Sequence, residues 1–223
     1  MLSVIIPTLN EAAVIGERLD QIKAADVAME IIVVDGGSSD GTVELAERRG
    51  VRTIIGPAGR GLQLDAGAKL AAGSWFLFLH ADTKLGPGWT TIIRRFMKKT
   101  NNRFRAGYFR FVLDDNATAA RYLEKIVDWR CRFFNLPYGD QGLLINAEFY
   151  RHLGGFPKAP LMEDVALIRA IPRSRLEELP CIAVTSAKRY KRDGYLFRSL
   201  KNASLLFLYF LKFPPNVLAR LYD

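Results

Sequence analysis

The sequence predicts an α/β protein whose first hundred residues form a parallel sheet covered by helices. Apolar runs without alternation, which are typical of strands buried on both faces, recur through residues 1–80. A helical segment of about ten residues lies between each run and the next, as in βαβ units. Polar loops follow the runs, at the edge where open α/β sheets bind ligands.

Four strands are expected in this first part: Leu2–Pro7, Glu30–Val34, Val51–Ile55 and Ser74–Leu79, of which the first and the last are expected to be buried. Thr8 and Glu11 have the spacing of a capping box for the first helix, and Asp40 can cap the second. A helix over Leu62–Ala72 follows a glycine-rich loop. This order of elements favours a parallel sheet with right-handed crossovers.

The second part of the chain is less regular, and its expected elements follow in order. They are a helix over Gly88–Lys99, an antiparallel strand Ala106–Leu113, a helix Ala117–Phe134, a strand Gly142–Ile145, a helix Asp164–Ile171, a strand Leu176–Val184 and an apolar helix Tyr195–Phe213. We expect a single domain, residues 1–223, whose parts 1–100 and 101–194 share one sheet and whose residues 195–223 form C-terminal helices.

The chain has a net charge of +9, and part of this charge is concentrated near its end. Eight basic and two acidic residues lie between Val184 and Asp223. Phosphates of a ligand, anionic lipid and nucleic acid are the partners to consider. Nucleic acid is disfavoured because aromatic residues do not alternate regularly with the basic ones. Cys131 and Cys181 lack metal-site spacing, and with no recognisable leader sequence they predict free thiols in a reducing, cytoplasmic compartment.

Asp82 follows the apolar strand that ends at Leu79 and is the candidate metal ligand. A divalent cation bound to a diphosphate needs only one or two carboxylates from the protein. The alternative interpretation is that Asp82 only caps the turn after the strand.

Two glycine-containing loops are candidates for contact with a phosphorylated ligand. The loop Asp35–Asp40 contains Gly36 and Gly37, whose backbone amides can approach a ligand closely, and Asp35 can accept from a base or a ribose hydroxyl. Arg60, between two glycines, offers a guanidinium to phosphate. An ordinary capped turn and a solvated arginine are the alternatives.

Two acidic segments of the second part point to the same edge. Glu163 and Asp164 are adjacent carboxylates among apolar residues, which can separate their pKa values and suit one of them to act as a general base. Asp140 and Gln141, held between two glycines, can contact an acceptor. Arg189 and Tyr190 lie on a basic loop that can fold over a diphosphate. For Asp164 the alternative is helix capping, and for the basic loop it is simple solvation.

These motifs resemble those of family 2 glycosyltransferases with the GT-A fold. The resemblance is carried by Val4–Glu11, Ile32–Thr42 and Leu79–Asp82, and a small bacterial branch of the family is similar also at Gly139–Gly142, Gly154–Pro157 and Leu161–Val165. It implies a Rossmann-like nucleotide-binding half, a mixed, mainly parallel central sheet flanked by helices, and a catalytic half that binds the acceptor.

The resemblance also implies an inverting transfer of a sugar from a nucleotide diphosphate sugar, assisted by Mg²⁺ or Mn²⁺. In it Asp82 takes the part of the last acid of the Asp-x-Asp metal motif, and Asp164 that of the catalytic base. The expected donor-binding residues are Pro7, Thr8, Glu11, Asp35, Gly37, Arg60, His80, Ala81, Arg189 and Tyr190, and the expected acceptor-binding residues are Asp140, Gln141 and Glu163. Two positions depart from the family pattern: His80 replaces the first acid of the metal motif, and Gly36 replaces an acid in the Asp-Asp-Gly-Ser loop.

Two alternative functions stay open on the sequence, and so does the role of the last helix. A nucleotide-binding module without transfer activity fits the His80 departure, and a basic nucleic-acid-binding protein fits the charge. The apolar and basic residues 195–220 suit an interfacial helix on anionic lipid, at the inner face of the membrane, with a lipid-linked acceptor. The same residues would also suit a helix packed on the core or on a second subunit of a homodimer.

Overall fold

The computed structural model describes residues 1–222, and its eight strands form one mixed sheet. The strands are β1 (Leu2–Thr8), β2 (Met29–Asp35), β3 (Arg52–Ile55), β4 (Trp75–Phe78), β5 (Lys84–Leu85), β6 (Ala106–Leu113), β7 (Leu143–Asn146) and β8 (Leu176–Thr185). Their order across the sheet is β3-β2-β1-β4-β7-β6-β8-β5. This arrangement confirms the predicted mixed, mainly parallel sheet.

Ten α-helices surround the sheet in the described residues. They are α1 (Ala12–Lys23), α2 (Thr42–Glu47), α3 (Arg60–Leu70), α4 (Trp89–Lys98), α5 (Thr118–Phe134), α6 (Ala147–His152), α7 (Glu163–Ala170), α8 (Lys188–Asp193), α9 (Tyr195–Phe210) and α10 (Pro215–Tyr222). Short 3-10 turns cover Thr100–Phe104, Gly139–Gln141 and Arg173–Arg175.

The first four strands are parallel, as predicted, and β4 is buried along its whole length. Phe76 and Phe78 pack into one core cluster, whereas Trp75 and Leu77 pack into the cluster on the opposite face of the sheet. Burial on both faces explains why this strand is an uninterrupted apolar run. Neighbouring β7 runs antiparallel to β4, which joins the first part of the chain to the second in one sheet.

The structure differs from the sequence predictions in four local features. Thr8 is the last residue of β1 and its hydroxyl donates to Asp35, so the predicted capping box of Thr8 and Glu11 is wrong. Asp40 instead accepts from the amides of Ala12 and Thr42, near the starts of α1 and α2. The 3.0 and 3.1 Å hydrogen bonds let one carboxylate serve two helices.

The other three differences concern secondary structure. Residues 188–193 form helix α8 rather than a loop, and the two-residue strand β5 was not predicted. Strand β6 is antiparallel to β7 as expected, but it is parallel to its other neighbour, β8. Both cysteines are free, as predicted, and both are buried. Asp223, which ends the predicted C-terminal part, lies outside the described residues.

Among the described residues, no helix combines the length and apolar character needed to cross a membrane.

Candidate active site

The candidate site lies at the edge of the sheet where β1, β2 and β4 end. These strands are parallel, so the residues that follow them meet at one edge. Thr8 ends β1, Asp35 ends β2, and His80 and Asp82 follow β4. The sheet order therefore brings together residues that are far apart in the sequence.

Asp35 is the best-satisfied carboxylate of this edge. One oxygen accepts from Thr8 Oγ1 at 2.8 Å, and the other accepts from the amides of Gly37 at 2.9 Å and Ser38 at 2.7 Å. Burial acts to raise the pKa of Asp35, but the hydrogen bonds from Ser38, Thr8 and Gly37 outweigh it and the pKa is lowered. The Gly37 amide reaches Asp35 from a backbone with φ of 98°, which glycine adopts without strain. An ionised, fixed carboxylate results.

The buried side chain of Gln63 joins the C-terminal ends of β1 and β2 by hydrogen bonds. Its Nε2 donates to the carbonyls of Thr8 and Val34, both at 2.8 Å. A Cβ at Gly36 would come within 3.1 Å of this amide. The space beside Gly36 is therefore filled by Gln63, and a larger residue there would have to displace it.

Glu11 and Asp82 extend the edge toward the cavity. Burial raises the pKa of Glu11, and the negative charge of Asp82 raises it further, against the lowering effect of Arg189. Burial likewise raises the pKa of Asp82, which Arg189 and Arg60 lower in part. These two carboxylates and two arginines therefore lie within electrostatic range of one another. Pro7 and Ala81, which are the sequence neighbours of Thr8 and Asp82, are buried.

A single cavity contains both Asp82 and Asp164. Besides them it is lined by His80, Asp140 and Glu163, which come from the end of β4, a 3-10 turn and α7. Its volume of about 150 Å³ is below the roughly 300–1,000 Å³ typical of small-molecule pockets. Only part of a nucleotide-sized ligand would fit into it, and the rest would extend over the open edge toward Asp35.

The Asp164 carboxylate is held by two backbone amides. Its Oδ2 accepts from Gly139 at 2.8 Å and its Oδ1 accepts from Val165 at 2.7 Å. Helix α7 begins directly after Met162, a non-glycine residue with a φ of 64°. Such left-handed backbone is costly and concentrates at functional sites. The local conformation thus aims Asp164 at the turn that carries Asp140.

The other acids of the cavity have raised pKa values. Burial raises the pKa of Asp140 to about 6; Arg130 opposes this, and Asp164 adds to it. Burial and the adjacent Asp164 raise the pKa of Glu163 to about 7, although Arg60 lies 3.6 Å from it. The cavity therefore holds acids that take up protons near neutral pH.

Three arginines place positive charge around these acids. Arg60 begins α3 and pairs with Glu163, and Arg189 lies on α8. Arg198 of α9 is buried and lines the cavity, where its guanidinium donates to the Tyr222 hydroxyl at 2.7 Å. Cationic forks at the mouth of a cavity suit the binding of phosphate.

Of the predicted residues Gln141 and Tyr190, only Tyr190 lines the cavity. Gln141 does not line the cavity: it is buried, donates to the Phe109 carbonyl at 3.0 Å and accepts from the Tyr138 amide at 3.2 Å. Tyr190 lines the cavity and stacks on Tyr195, with ring centroids 5.5 Å apart. The structure therefore brings Tyr190 to the cavity and leaves Gln141 as support for the turn of Asp140.

Sequence reasoning missed four cavity-lining residues of the C-terminal helices: Arg198, Asn202, Leu205 and Tyr222. The first three recur at helical spacing on the inner face of α9. Ser199, Lys201 and Ser204 also interrupt the apolar residues of this helix, so the four-residue spacing of Arg198 and Asn202 did not mark the inner face in the sequence.

The cavity fits a divalent cation only if a ligand supplies most of the coordination. Buried atoms without hydrogen-bond partners, namely His80 Nε2, Asp140 Oδ1 and Glu163 Oε1, face it together with Asp82. Within residues 1–222, however, no three acidic, histidine or cysteine side chains converge on one metal position. Cations that bind nucleotides commonly take one or two carboxylates and complete their shell with phosphates and water. Asp82 meets that requirement.

Comparison with known proteins identifies the family of this site. The family model described as Glycosyl transferase family 2 matches residues 3–159. A PGL/p-HBAD biosynthesis glycosyltransferase of Mycobacterium bovis is 42% identical over 93 residues, covering 38% of this chain and 36% of that protein. An uncharacterized glycosyltransferase of Rickettsia felis is 36% identical over 85 residues, covering 38% of this chain and 29% of that protein. The matches thus span about a third of the length of these relatives.

Solved structures share the fold at low sequence identity. A fragment of S. aureus TarS in complex with UDP matches with a TM-score of 0.63 and 19% identity, covering 85% of this chain and 62% of that chain. The mannosyltransferase PcManGT of Pyrobaculum calidifontis, in complex with GDP-Man and Mn²⁺, matches with a TM-score of 0.62 and 20% identity, covering 87% and 61%. Both are GT-A glycosyltransferases, so the predicted GT-A fold is confirmed.

Proposed function

This chain belongs to glycosyltransferase family 2, and on that premise we propose that it moves a sugar, with inversion, from a nucleotide diphosphate sugar to an acceptor hydroxyl. The observation that carries the proposal is the single cavity lined by Asp82, Asp164 and two arginines, Arg60 and Arg189. An acid for a cation, an acid for a proton and cations for a diphosphate are the groups that such a transfer needs.

The nucleoside of the donor is proposed to lie over the ends of β1 and β2. Asp35 is ionised and fixed, but both of its oxygens already accept hydrogen bonds, so a base or a ribose that bound it would have to displace one of the present donors. Pro7, Thr8, Glu11, Gly37 and Ala81 form the surrounding edge. The solved structures that share the fold contain UDP in one case and GDP-Man in another, so the base stays open.

The diphosphate is proposed to lie between Asp82 and the arginines. A bound Mg²⁺ or Mn²⁺ would neutralise the charge that develops on the departing diphosphate, as Mn²⁺ is present in the PcManGT complex. Asp82 would hold the cation, with His80 beside it. Arg60, Arg189 and Tyr190 would fix the phosphate oxygens and the orientation of the leaving group.

Asp164 is proposed to remove the proton of the acceptor hydroxyl. The Gly139 and Val165 amides hold its carboxylate in place, so it can orient the hydroxyl opposite the leaving group. Direct attack from that side inverts the anomeric centre. Asp140 and Glu163 are proposed to contact the acceptor, and Gln141 to contribute by fixing the turn of Asp140.

The acceptor is proposed as a lipid-linked hydroxyl compound at the inner face of the cell membrane, and the enzyme as cytoplasmic. The support is the basic and apolar composition of residues 195–220, whose helix α9 also lines the cavity. A homodimer is compatible with the same composition.

A thermal-shift screen of UDP and GDP sugars, with and without Mn²⁺, tests donor and cation together. We expect one donor class to raise the melting temperature, and Mn²⁺ to increase the rise, because the cation joins the diphosphate to Asp82. Asp82→Asn, which keeps the size of the side chain, should lose the Mn²⁺-dependent part. Asp26→Asn, on the exposed surface, is the matched control. Stabilisation by no nucleotide sugar would contradict the proposal.

The second candidate function is nucleotide binding without transfer, which the His80 substitution favours. It predicts the same thermal shifts but neither transfer nor hydrolysis of the bound donor. Release of free nucleotide diphosphate over time, measured with the stabilising donor, separates the two.

A further inference from the structure

Helix α9 has its apolar side turned to solvent. Five large apolar residues on one face are between 44 and 75% exposed: Leu196, Phe197, Leu200, Phe207 and Phe210. The opposite face contains Arg198, Asn202 and Leu205, which line the cavity. An ordinary surface helix has the reverse arrangement, with its apolar stripe against the core. We call the five exposed residues the outer face of α9.

Helix α5 adds a second exposed apolar stripe. Tyr122, Ile126, Trp129 and Phe133 follow one another at spacings of four, three and four residues and are 51 to 64% exposed. The rings of Trp129 and Phe133 lie 5.3 Å apart. These four residues are called the α5 stripe.

The two helices that carry these residues are neighbours. Helices α5 and α9 contact each other. The inner residues of α5, such as Leu123 and Val127, belong to the same core cluster on which Leu206 and Tyr209 of α9 pack. Both helices thus cover one core cluster and expose apolar residues on their outer sides, and we treat these exposed residues as one apolar area. Exposed apolar areas of this kind mark interaction sites.

Basic side chains are exposed on α5 and on the segments next to α9. Lys125 and Arg132 are exposed on α5, and Lys188 and Lys191 on α8, while Lys212 and Arg220 follow α9. Aromatic and aliphatic residues within a basic frame match the interface of an anionic bilayer, where apolar side chains enter the headgroup region and cations meet lipid phosphates. In a two-fold dimer the basic residues of one copy would face those of the other, and like charges would repel each other.

We propose that the α5 stripe and the outer face of α9 together bind the surface of an anionic lipid bilayer. The α5 stripe provides half of this surface and is remote in sequence from the basic C-terminal residues. Since α9 is also a wall of the cavity, binding would bring the cavity to the lipid surface. Docking itself requires neither donor nor turnover, so it can be tested independently of the proposed transfer.

Flotation with vesicles tests docking directly. The full chain should float with vesicles of phosphatidylcholine and phosphatidylglycerol, and only weakly with phosphatidylcholine alone. The double variant Leu200→Glu/Phe207→Glu should bind at least about tenfold more weakly, because charged side chains on the outer face oppose insertion. Ile55→Glu is the matched control, since Ile55 is 77% exposed on the distant edge strand β3. It should bind as the unmodified chain does.

Trp129 reports on the α5 stripe in the same experiment. Trp75 and Trp89 are buried, whereas Trp129 is exposed. Vesicles should shift the emission to the blue, doxyl-labelled lipid should quench it, and Trp129→Phe should abolish both responses. Asp164→Asn should bind vesicles normally, which separates docking from catalysis.

Three results would overturn the proposal. The first is that the full chain does not bind anionic vesicles. The second is that Leu200→Glu/Phe207→Glu binds them as the unmodified chain does. The third is that the chain binds them without a change in Trp129 fluorescence. If the chain does not bind vesicles but self-associates, and the double variant abolishes this self-association, the apolar area binds a second copy instead.

Discussion

Glu163 and Asp164 are neighbours in the sequence, yet their carboxylates have different surroundings. Asp164 accepts hydrogen bonds from two amides, whereas Glu163 Oε1 is buried without a hydrogen-bond partner and lies 3.6 Å from Arg60. Different environments for adjacent acids allow different roles. This difference supports the proposal that Asp164 removes the proton and that Glu163 contacts the acceptor.

The raised pKa of Glu163 predicts a pH-dependent stability. The pKa of this carboxyl is higher in the folded state than in the unfolded state. Its contribution to the stability of the fold is therefore complete at pH values below the unfolded pKa of 4.5 and is lost as the pH rises through about 7. Relative to Glu163→Gln, the unmodified chain should therefore lose roughly 1–3 kcal/mol of unfolding free energy between about pH 5 and pH 8.

Denaturant unfolding at both pH values measures this difference. Glu47→Gln, an exposed substitution on α2, controls for the loss of one charge. If the unfolding free energies of the chain and of Glu163→Gln change in parallel with pH, Glu163 is not held in the proposed environment.

At the residue scale, the sequence identified the acids but not all of their partners. Asp82 could be singled out because it follows an apolar strand of the sheet, and Asp164 because it lies in the first turn of an apolar helix. Arg198 could not, since a basic residue in an apolar helix is normally solvated, and only tertiary packing turned it inward. For the same reason, no neighbouring residue in the sequence indicated that the Gln141 side chain would hydrogen-bond to the backbone of Phe109 and Tyr138.

At the scale of elements, the contact of α3 with α7 fixes Arg60 beside Glu163. A Cβ at Gly61 would lie 2.8 Å from the Cβ of Glu163 and 3.1 Å from the Pro157 carbonyl. The absence of a side chain at Gly61 therefore lets the two helices approach closely. The spacing of the cation and the acid depends on this approach.

Gly61→Ala tests the closeness of that contact by the sign of its effect. Helix propensity alone predicts a gain of about 1 kcal/mol. Overpacking against α7 predicts a loss of roughly 1–3 kcal/mol, and we expect the loss to dominate because a helix Cβ and a backbone carbonyl cannot move aside easily. Denaturant unfolding measures the sign, and a more stable variant would contradict the contact.

The elements themselves were largely predictable, and the misses have physical causes. The buried strands stand out as uninterrupted apolar runs, and the long helix α5 stands out by the helical spacing of its apolar residues. Strand β5 has two residues and no periodicity to detect, and it exists because β8 offers a free edge to Lys84 and Leu85. Asp40 was expected to cap one helix, but the sheet brings the start of α1 within its reach as well.

At the scale of the whole molecule, one sheet joins two chemical tasks. The parallel strands β1, β2 and β4 end at the proposed nucleoside edge, and the antiparallel β7 joins them to the part of the chain that carries Asp140 and Asp164. The βαβ order predicted the first part, but the sequence alone did not show that α9 would serve both the cavity and an exposed apolar area.

The transfer rate of Asp164→Asn tests the central claim most directly. With the donor that stabilises the chain, this variant should bind the donor almost as tightly as the unmodified enzyme, because Asp164 contacts no proposed donor group. Its turnover should fall at least about a hundredfold through the loss of the general base. Asp26→Asn should retain full activity. Undiminished transfer by Asp164→Asn would contradict the account.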